Sequence, residues 1–301
     1  MSIDNSRNQT EGDSIVVAGV PEHFNLPWHL AIELGQFEDR GLHVSFDEVH
    51  GGTGEMSQRL NQGACDVAVV LTEGCVAALL NGVGGRIVKA YVDSPLLWGI
   101  HVSAKSEITL ADQIKDLRYA ISRPGSGSHI MSIVDAAERD WSTESMKFVE
   151  VGSLKGARSA LEKNDADVFF WERFTTSPLV RSGEFRWLAD RAADWPAFVI
   201  CATEEMVQNR SAELRSMLEI LNSSCSHLMH SPDACETIAR RYNIDLDAVR
   251  EWFQMTRWNT GFDLDRSSFK SVKHYLSRLG IVADHSREID ELCCDLSNMS
   301  R

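Results

Sequence analysis

The chain lacks the features that would tie it to a membrane, to nucleic acid or to a familiar catalytic class. It contains no run of about 18 apolar residues, so nothing in it reads as a helical membrane span and membrane insertion is not expected. Basic residues are in deficit, 30 Lys and Arg against 44 Asp and Glu, for a formal net charge of −14. That balance disfavours nucleic acid and anionic membrane surfaces as partners, although it leaves room for a local cationic or amide-lined pocket. The seven cysteines are odd in number and irregularly spaced, with Cys293 and Cys294 adjacent, so they form no disulfide framework and agree with a reducing compartment. The opening MSIDNSRNQTEGDS has no basic start followed by an apolar stretch and is not a secretory signal; with the initiator-like Met1 it points to the cytoplasm.

Catalytic signatures are equally scarce. There is no G-x-S-x-G elbow and no H-E-x-x-H. His227, His230 and Cys235 lack the spacing of common zinc motifs, and the two histidines fall on what reads as a packed helix, so no metal and no cofactor are expected. Cys65 and Cys75, beside an apolar strand, read as inert buried thiols.

What the chain does have is a repeated alternation of apolar strands and amphipathic helices. After a polar first dozen residues expected to be unstructured, Ile15–Ala18 reads as a strand. A helical stripe follows from Trp28 through Phe37, ending near Gly41. Leu42, Val44 and Phe46 alternate as a second strand, GGTG at 51–54 turns into a helix, and DVAVVL at 66–71 is a third strand. A helix from Glu73 to Leu80 and strands at 86–91 and 98–102 complete the first cycle. The cycle restarts with a helix at 109–117, a strand at 118–122 and a helix at 128–141. Strands at 148–151, 167–170 and 185–189 follow, with helices at 154–163 and 174–181 between them. Residues 197–201 read as a strand returning to the first unit, and beyond 203 the chain is helical, with Gly280 as a stop.

This order predicts two α/β lobes with mostly parallel sheets covered on both faces. Lobe one comprises residues 14–102 plus 192–301, with a helical C-terminal extension. Lobe two, 103–191, is inserted into it, and the crossings lie near 99–104 and 190–198. Trp195-Pro196 would stiffen the second crossing, and Trp98 at the first reads as buried packing. The charged tail SREIDELCCDLSNMSR is either a solvated helix or an interface, with the solvated reading favoured.

In such sheets ligands bind beyond the strand C-termini, where helix N-termini point inward. Four junctions qualify. In SRPGSGSH, the small residues Ser126, Gly127 and Ser128, with His129, allow close backbone approach and offer hydroxyls and amides to an anion or polar oxygen; the alternative is a turn capped by a serine. The segment is not a phosphate-binding P-loop, because the G-K-[ST] ending is missing. Thr72 and Glu73 follow one apolar strand, and Trp171 and Glu172 end another. Each glutamate either complements a helix dipole or accepts hydrogen bonds from a ligand amine. Trp171 is either core or a face for a flat ligand. Glu22, His23, Phe24 and Asn25 form the remaining junction.

The segments GVPEHFN, GGTGEM, LTEG, YVDSPLLWGIH, ISRPGSGSHIM, FFWERFTTSPLV and DWPAFVI resemble a fungal and bacterial group of cytosolic, binding-protein-like chains of unassigned ligand. That group is similar to the substrate-binding proteins for nitrate, sulfonates and thiamine pyrimidine precursors. The resemblance covers residues 14–202 and implies a type II periplasmic-binding-protein fold that closes on a ligand between its lobes. Exported relatives deliver cargo to a membrane transporter and carry a signal or lipid anchor, which this sequence does not show, so a transporter partner is doubtful. The cysteine-rich motif of the pyrimidine-synthase branch is missing as well.

The expected function is therefore a cytosolic small-molecule binding or sensing protein. Its ligand would be small and polar, an aminopyrimidine or thiamine-precursor-like compound being one candidate. The alternative is an enzyme on the same scaffold, of dehydratase or pyrimidine-biosynthesis type, with Glu73, Glu172 or His129 as acid or base.

Overall fold

The computed structural model describes residues 14–283 and 287–296. The polar first dozen residues lie outside this range, as does part of the charged tail. Ten strands divide into two sheets. They are β1 (Ile15–Gly19), β2 (Val44–Glu48), β3 (Val67–Leu71), β4 (Arg86–Val92), β5 (Leu97–Ser103), β6 (Arg118–Ile121), β7 (Lys147–Glu150), β8 (Val168–Glu172), β9 (Phe185–Ala192) and β10 (Phe198–Ala202).

Sheet one runs β2-β1-β3-β10-β4 and sheet two β7-β6-β8-β5-β9. In sheet one, β1 pairs parallel with β2 and β3. In sheet two, β6 pairs parallel with β7 and β8. The fourth strand of each sheet runs antiparallel to both its neighbours. The sheets are thus less parallel than the apolar runs suggested, because β5 and β10 are the strands on which the chain arrives from the other lobe. This pairing also corrects the first crossing. Trp98–Val102 belongs to the second sheet, so the chain passes between lobes at 93–96, and the return passage is 193–197. The passages are tied together by Ala197 N–H to Ser94 O (3.1 Å) and Ala193 N–H to Leu96 O (3.3 Å).

Helices flank both sheets: α1 (Leu26–Glu33), α2 (Gly52–Asn61), α3 (Thr72–Leu80), α4 (Gly127–Glu138), α5 (Leu154–Glu162), α6 (Arg173–Arg181), α7 (Glu204–Gln208), α8 (Ser211–His230), α9 (Ala234–Tyr242), α10 (Leu246–Met255), α11 (Arg266–Arg278) and α12 (Ile289–Leu292). The apolar stripe read from Trp28 to Phe37 is interrupted. α1 stops at Glu33, Gly35 takes a left-handed φ of 67°, and Leu34 is 63% exposed. The helix expected at 109–117 shrinks to one 3-10 turn, Ala111–Ile114. Asp245 and Asp265 cap α10 and α11 by accepting first-turn amides, as short carboxylates do.

The tail is not a solvated helix within the described residues. Ile289, Leu292 and Leu296 are buried, and Cys293 bridges Ile87 of β4. His227 and His230 lie on the exposed side of α8. Among the described residues no helix is long and apolar enough to cross a membrane.

Candidate functional site

A cleft of about 370 Å³ opens between the two sheets where their strand ends face each other, a size that holds a small organic molecule. Sheet order decides what lies along it. At the β2 end stand His50 and Gly51–Thr53, at the β1 end Val20–Glu22, then Leu71 of β3 and Phe198 of β10. From lobe two come Gly152–Lys155 after β7, Ser122–Ser128 after β6, Trp171 and Glu172 of β8, and Trp98 of β5.

The β2 side of lobe one meets the β6 side of lobe two directly. Arg123 Nη1 donates to Gly51 O (3.0 Å), and a Cβ on Gly54 would sit 2.4 Å from the Arg123 guanidinium. On the far face, Arg173–Glu251 (3.0 Å) and Arg181–Asp245 (2.8 Å) join α6 to α10.

The cleft has two chemical poles. At the β2, β6 and β7 ends, α2 is preceded by the cap residue Gly51, which has no side chain, and α4 by Ser126, whose side chain accepts no first-turn amide. Ser126 Oγ instead meets Ser128 Oγ (3.1 Å), and Ser128 Oγ accepts the Ser122 amide (3.0 Å). The open amides of both helices, with Arg123 and the exposed Lys155, make this the electropositive pole. Burial lowers the Arg123 pKa, with Glu150 and Glu55 opposing, but a guanidinium stays charged.

At the β1 and β8 ends stand two carboxyls. Glu172 caps α6, its Oε1 accepting from the Phe174 amide (3.1 Å) and its Oε2 from the Thr175 amide (2.6 Å) and hydroxyl (2.7 Å). Burial nevertheless raises its pKa above the usual carboxylate range. Glu22 is half-buried by surface area, because one side of it faces the cleft, yet dense protein surrounds it. Burial first, and the nearby Glu172 charge second, raise it to about 8.

Six of the twelve residues singled out from sequence line the cleft: Glu22, Ser126, Gly127, Ser128, Trp171 and Glu172. The other six do not. His23 and Phe24 enter a 3-10 turn and pack into lobe one, the His23 ring 4.8 Å from Phe24 and 4.2 Å from Trp252. Burial lowers the His23 pKa to about 3, leaving it neutral. The Phe24 carbonyl accepts from Tyr91 Oη (2.8 Å) and Trp258 Nε1 (2.9 Å), and Asn25 Nδ2 donates to Val20 O (2.8 Å). His129 turns to the side, its Nδ1 accepting the Gly125 amide (3.0 Å) and its ring edge-on to Phe148. Thr72 and Glu73 serve the inter-lobe passage: Thr72 Oγ1 donates to Pro196 O (2.5 Å), and Glu73 Oε2 accepts from Trp195 Nε1 (2.9 Å). Trp98, read as packing, is buried and also lines the cleft. Sequence reasoning missed Arg123, Lys155, His50 and Thr53 as site residues. Arg123 and Lys155 could have been found as basic residues at strand-to-helix junctions of an acidic chain.

The role of Glu73 carries a pH signature. Burial raises its pKa to about 7, opposed by its hydrogen bonds, and its Oε1 has no partner. Since the folded value exceeds the unfolded one near 4.5, the neutral carboxyl favours the fold. Its contribution is complete below about 4.5 and is lost as pH rises through about 7. Thermal melts across this window are expected to show Tm falling with rising pH, and Glu73→Gln to flatten that slope. An unchanged slope would leave Glu73 without this role.

The Candida albicans CA3427 gene product, described as defining a new family with the generic periplasmic binding protein fold, superposes with a TM-score of 0.86. It is 25% identical over 94% of this chain and 96% of its own. This is the type II periplasmic-binding-protein fold. The profile of the Ca3427-like PBP family matches residues 98–190, nearly the whole inserted lobe. The alkanesulfonate-binding protein SsuA from Xanthomonas axonopodis pv. citri, bound to MOPS, shares the fold at a TM-score of 0.79 and 15% identity, over 95% of this chain and 99% of that one. The aliphatic sulphonate binding protein SsuA of Escherichia coli does so at 0.72 and 12%, over 96% and 94%. No curated protein sequence matches the chain. The likeness to the SsuA proteins is one of fold, and the binding-protein fold is consistent with a small molecule held between lobes.

Proposed function

We propose that this protein binds one small bipolar molecule between its lobes, gripping an anionic end and a protonated nitrogen at opposite sides of the cleft. The observation that carries the reading is the division of the cleft. Two uncapped helix N-termini with Arg123 and Lys155 stand on one side, and Glu22 and Glu172 on the other. Apolar surface from Trp98, Trp171, Leu71 and Phe198 lies along the same cleft and suits a flat ring. An aminopyrimidine phosphate, or a similar thiamine-precursor-like compound, satisfies all three demands. The site is read as cytoplasmic, in keeping with seven free thiols.

Native mass spectrometry of protein purified gently from its source, followed by identification of the released molecule, tests this. The expected result is one stoichiometric compound carrying both an acidic group and a basic nitrogen. A purely apolar or singly charged compound would overturn the two-pole reading.

A second reading is favoured by one observation. Glu22, with its pKa raised to about 8 beside a carboxylate, suits proton transfer in an enzyme. This moves the acid-base role away from Glu73 and His129, which do not line the cleft. Recovery of two bound species related by one reaction, rather than a single unchanged compound, would select it.

A further inference from the structure

Glu22 and Glu172 line one cleft from opposite lobes, Glu22 on the loop after β1 and Glu172 at the end of β8. Their supports are unequal. Three donors at the start of α6 favour the charged form of Glu172, against the burial that raises its pKa. Among the described residues no protein donor reaches the Glu22 carboxyl. When the lobes close without a guest, two like charges would face each other across a partly dry space, with only one of them solvated by protein.

We propose that this pair is a cross-lobe gate: the empty closed cleft keeps one proton on the pair, and a cationic nitrogen of the guest takes that proton's place. The charge balances. A carboxylate with a carboxylic acid, and two carboxylates with one cation, carry the same single negative charge, and the displaced proton goes to solvent. The inference rests on the two-pole reading of the cleft and adds what selects the guest's basic end. An amidinium or ammonium group closes the lobes, and a neutral or anionic group at that end does not.

Among the described residues the cations around the pair are otherwise placed. Arg123, Lys155 and His50 line the cleft at the β2, β6 and β7 ends. Arg173, next to Glu172, is engaged by Asp190 (2.8 Å) and Glu251 (3.0 Å). His23, next to Glu22, is buried in the aromatic cluster and neutral. The walls between are Trp98, Trp171 and Phe198.

The sign of the pH response follows. In the closed form burial and Glu172 raise Glu22 from 4.5 to about 8, so closure is favoured while the proton is retained and is lost as pH rises through about 8.

Small-angle scattering of the ligand-free full-length chain, from about pH 6 to about pH 9.5, spans this transition. The wild type is expected to expand as pH rises, while Glu22→Gln stays compact throughout. A flat wild-type curve, or a Glu22→Gln curve that follows the wild type, overturns the gate. At about pH 9 the planar cation benzamidine is expected to restore the compact form and benzoate to leave it expanded. Equal effects of the two overturn the cation's part. Because the pH curve is recorded without cargo, an apolar cargo found by mass spectrometry would sink the two-pole reading while leaving the gate standing. A flat curve beside a bipolar cargo does the reverse.

Discussion

Valine in place of Gly127 is expected to weaken cargo binding by up to about 100-fold while both lobes still fold. Gly127 opens α4 at the floor of the cleft. A Cβ there would lie 2.5 and 2.8 Å from Cη2 and Cζ2 of Trp98 and 3.0 Å from Cδ1 of Leu71. Trp98 belongs to lobe two and Leu71 to lobe one, so the new side chain is driven between the lobes. Overpacking of this kind costs about 1–3 kcal/mol. Trp98 shares lobe two with Gly127, so part of the cost is felt within that lobe, and the part against Leu71 of lobe one falls on closure. Taken as about 1–3 kcal/mol against the closed state, the clash lowers affinity by about 5- to 100-fold. Calorimetric titration of the variant with the co-purifying compound measures the loss, and circular dichroism melts establish that the lobes are folded. Gly127→Ala should fall between. Undiminished affinity in the valine variant would mean that the lobes do not close over this position. Ser128→Trp is a poorer probe of closure. Ser128 Oγ accepts the Ser122 amide and the side chain is buried, so that variant also breaks the β6–α4 turn.

The second large effect is expected from Arg123→Met. Methionine keeps an unbranched apolar stem and removes the guanidinium. Two things are lost together: the cross-lobe hydrogen bond to Gly51 O and the fixed charge of the electropositive pole. A hydrogen bond to a charged group contributes about 1.5–3 kcal/mol, so affinity should fall roughly 10- to 100-fold. The salt dependence of binding should flatten as well, since the interaction removed is screened by ions. Arg123 is only half-buried, so the Tm should move little. Arg123→Lys keeps the charge without the planar fork and should recover part of the affinity. Affinity that survives Arg123→Met unchanged would remove the anionic end from the proposed ligand.

Much of the architecture was legible in the residue order. Short apolar runs such as Val67–Leu71 and Val168–Phe170 can only be strands buried on both faces, and alternation with amphipathic helices implies open α/β sheets. The rule that sites lie beyond strand ends then named the junctions. It could not say which residue of a junction faces the ligand, and the two glutamates show why. LTEG and WERF look alike, each a buried strand, a glutamate and a helix. In the first, Leu71 is the cap residue of α3 and Glu73 comes two positions later; in the second, Glu172 is itself the cap residue of α6. Both cap residues, Leu71 and Glu172, line the cleft, whereas Glu73 and its counterpart Phe174 do not. A helix turns about 100° per residue, so this two-residue offset decides between ligand and hinge. The GVPEHFN junction fails similarly: the 3-10 turn at 23–25 sends His23, Phe24 and Asn25 into the core and leaves Val20, Pro21 and Glu22 on the cleft.

The sequence by itself determined the two-lobed α/β plan, the insertion of one lobe in the other and the small-residue turn at 125–128, because these depend on local apolar periodicity and on backbone freedom. The tertiary structure alone decided which sheet β5 joins, since that strand finds its partners β8 and β9 across long stretches of chain. It also decided the poles of the cleft. Arg123 meets Gly51, and Glu22 comes to face Glu172, only because strand order in each sheet sets one junction opposite another. Charge placement across a cleft depends on contacts far apart in sequence, and no local pattern encodes them.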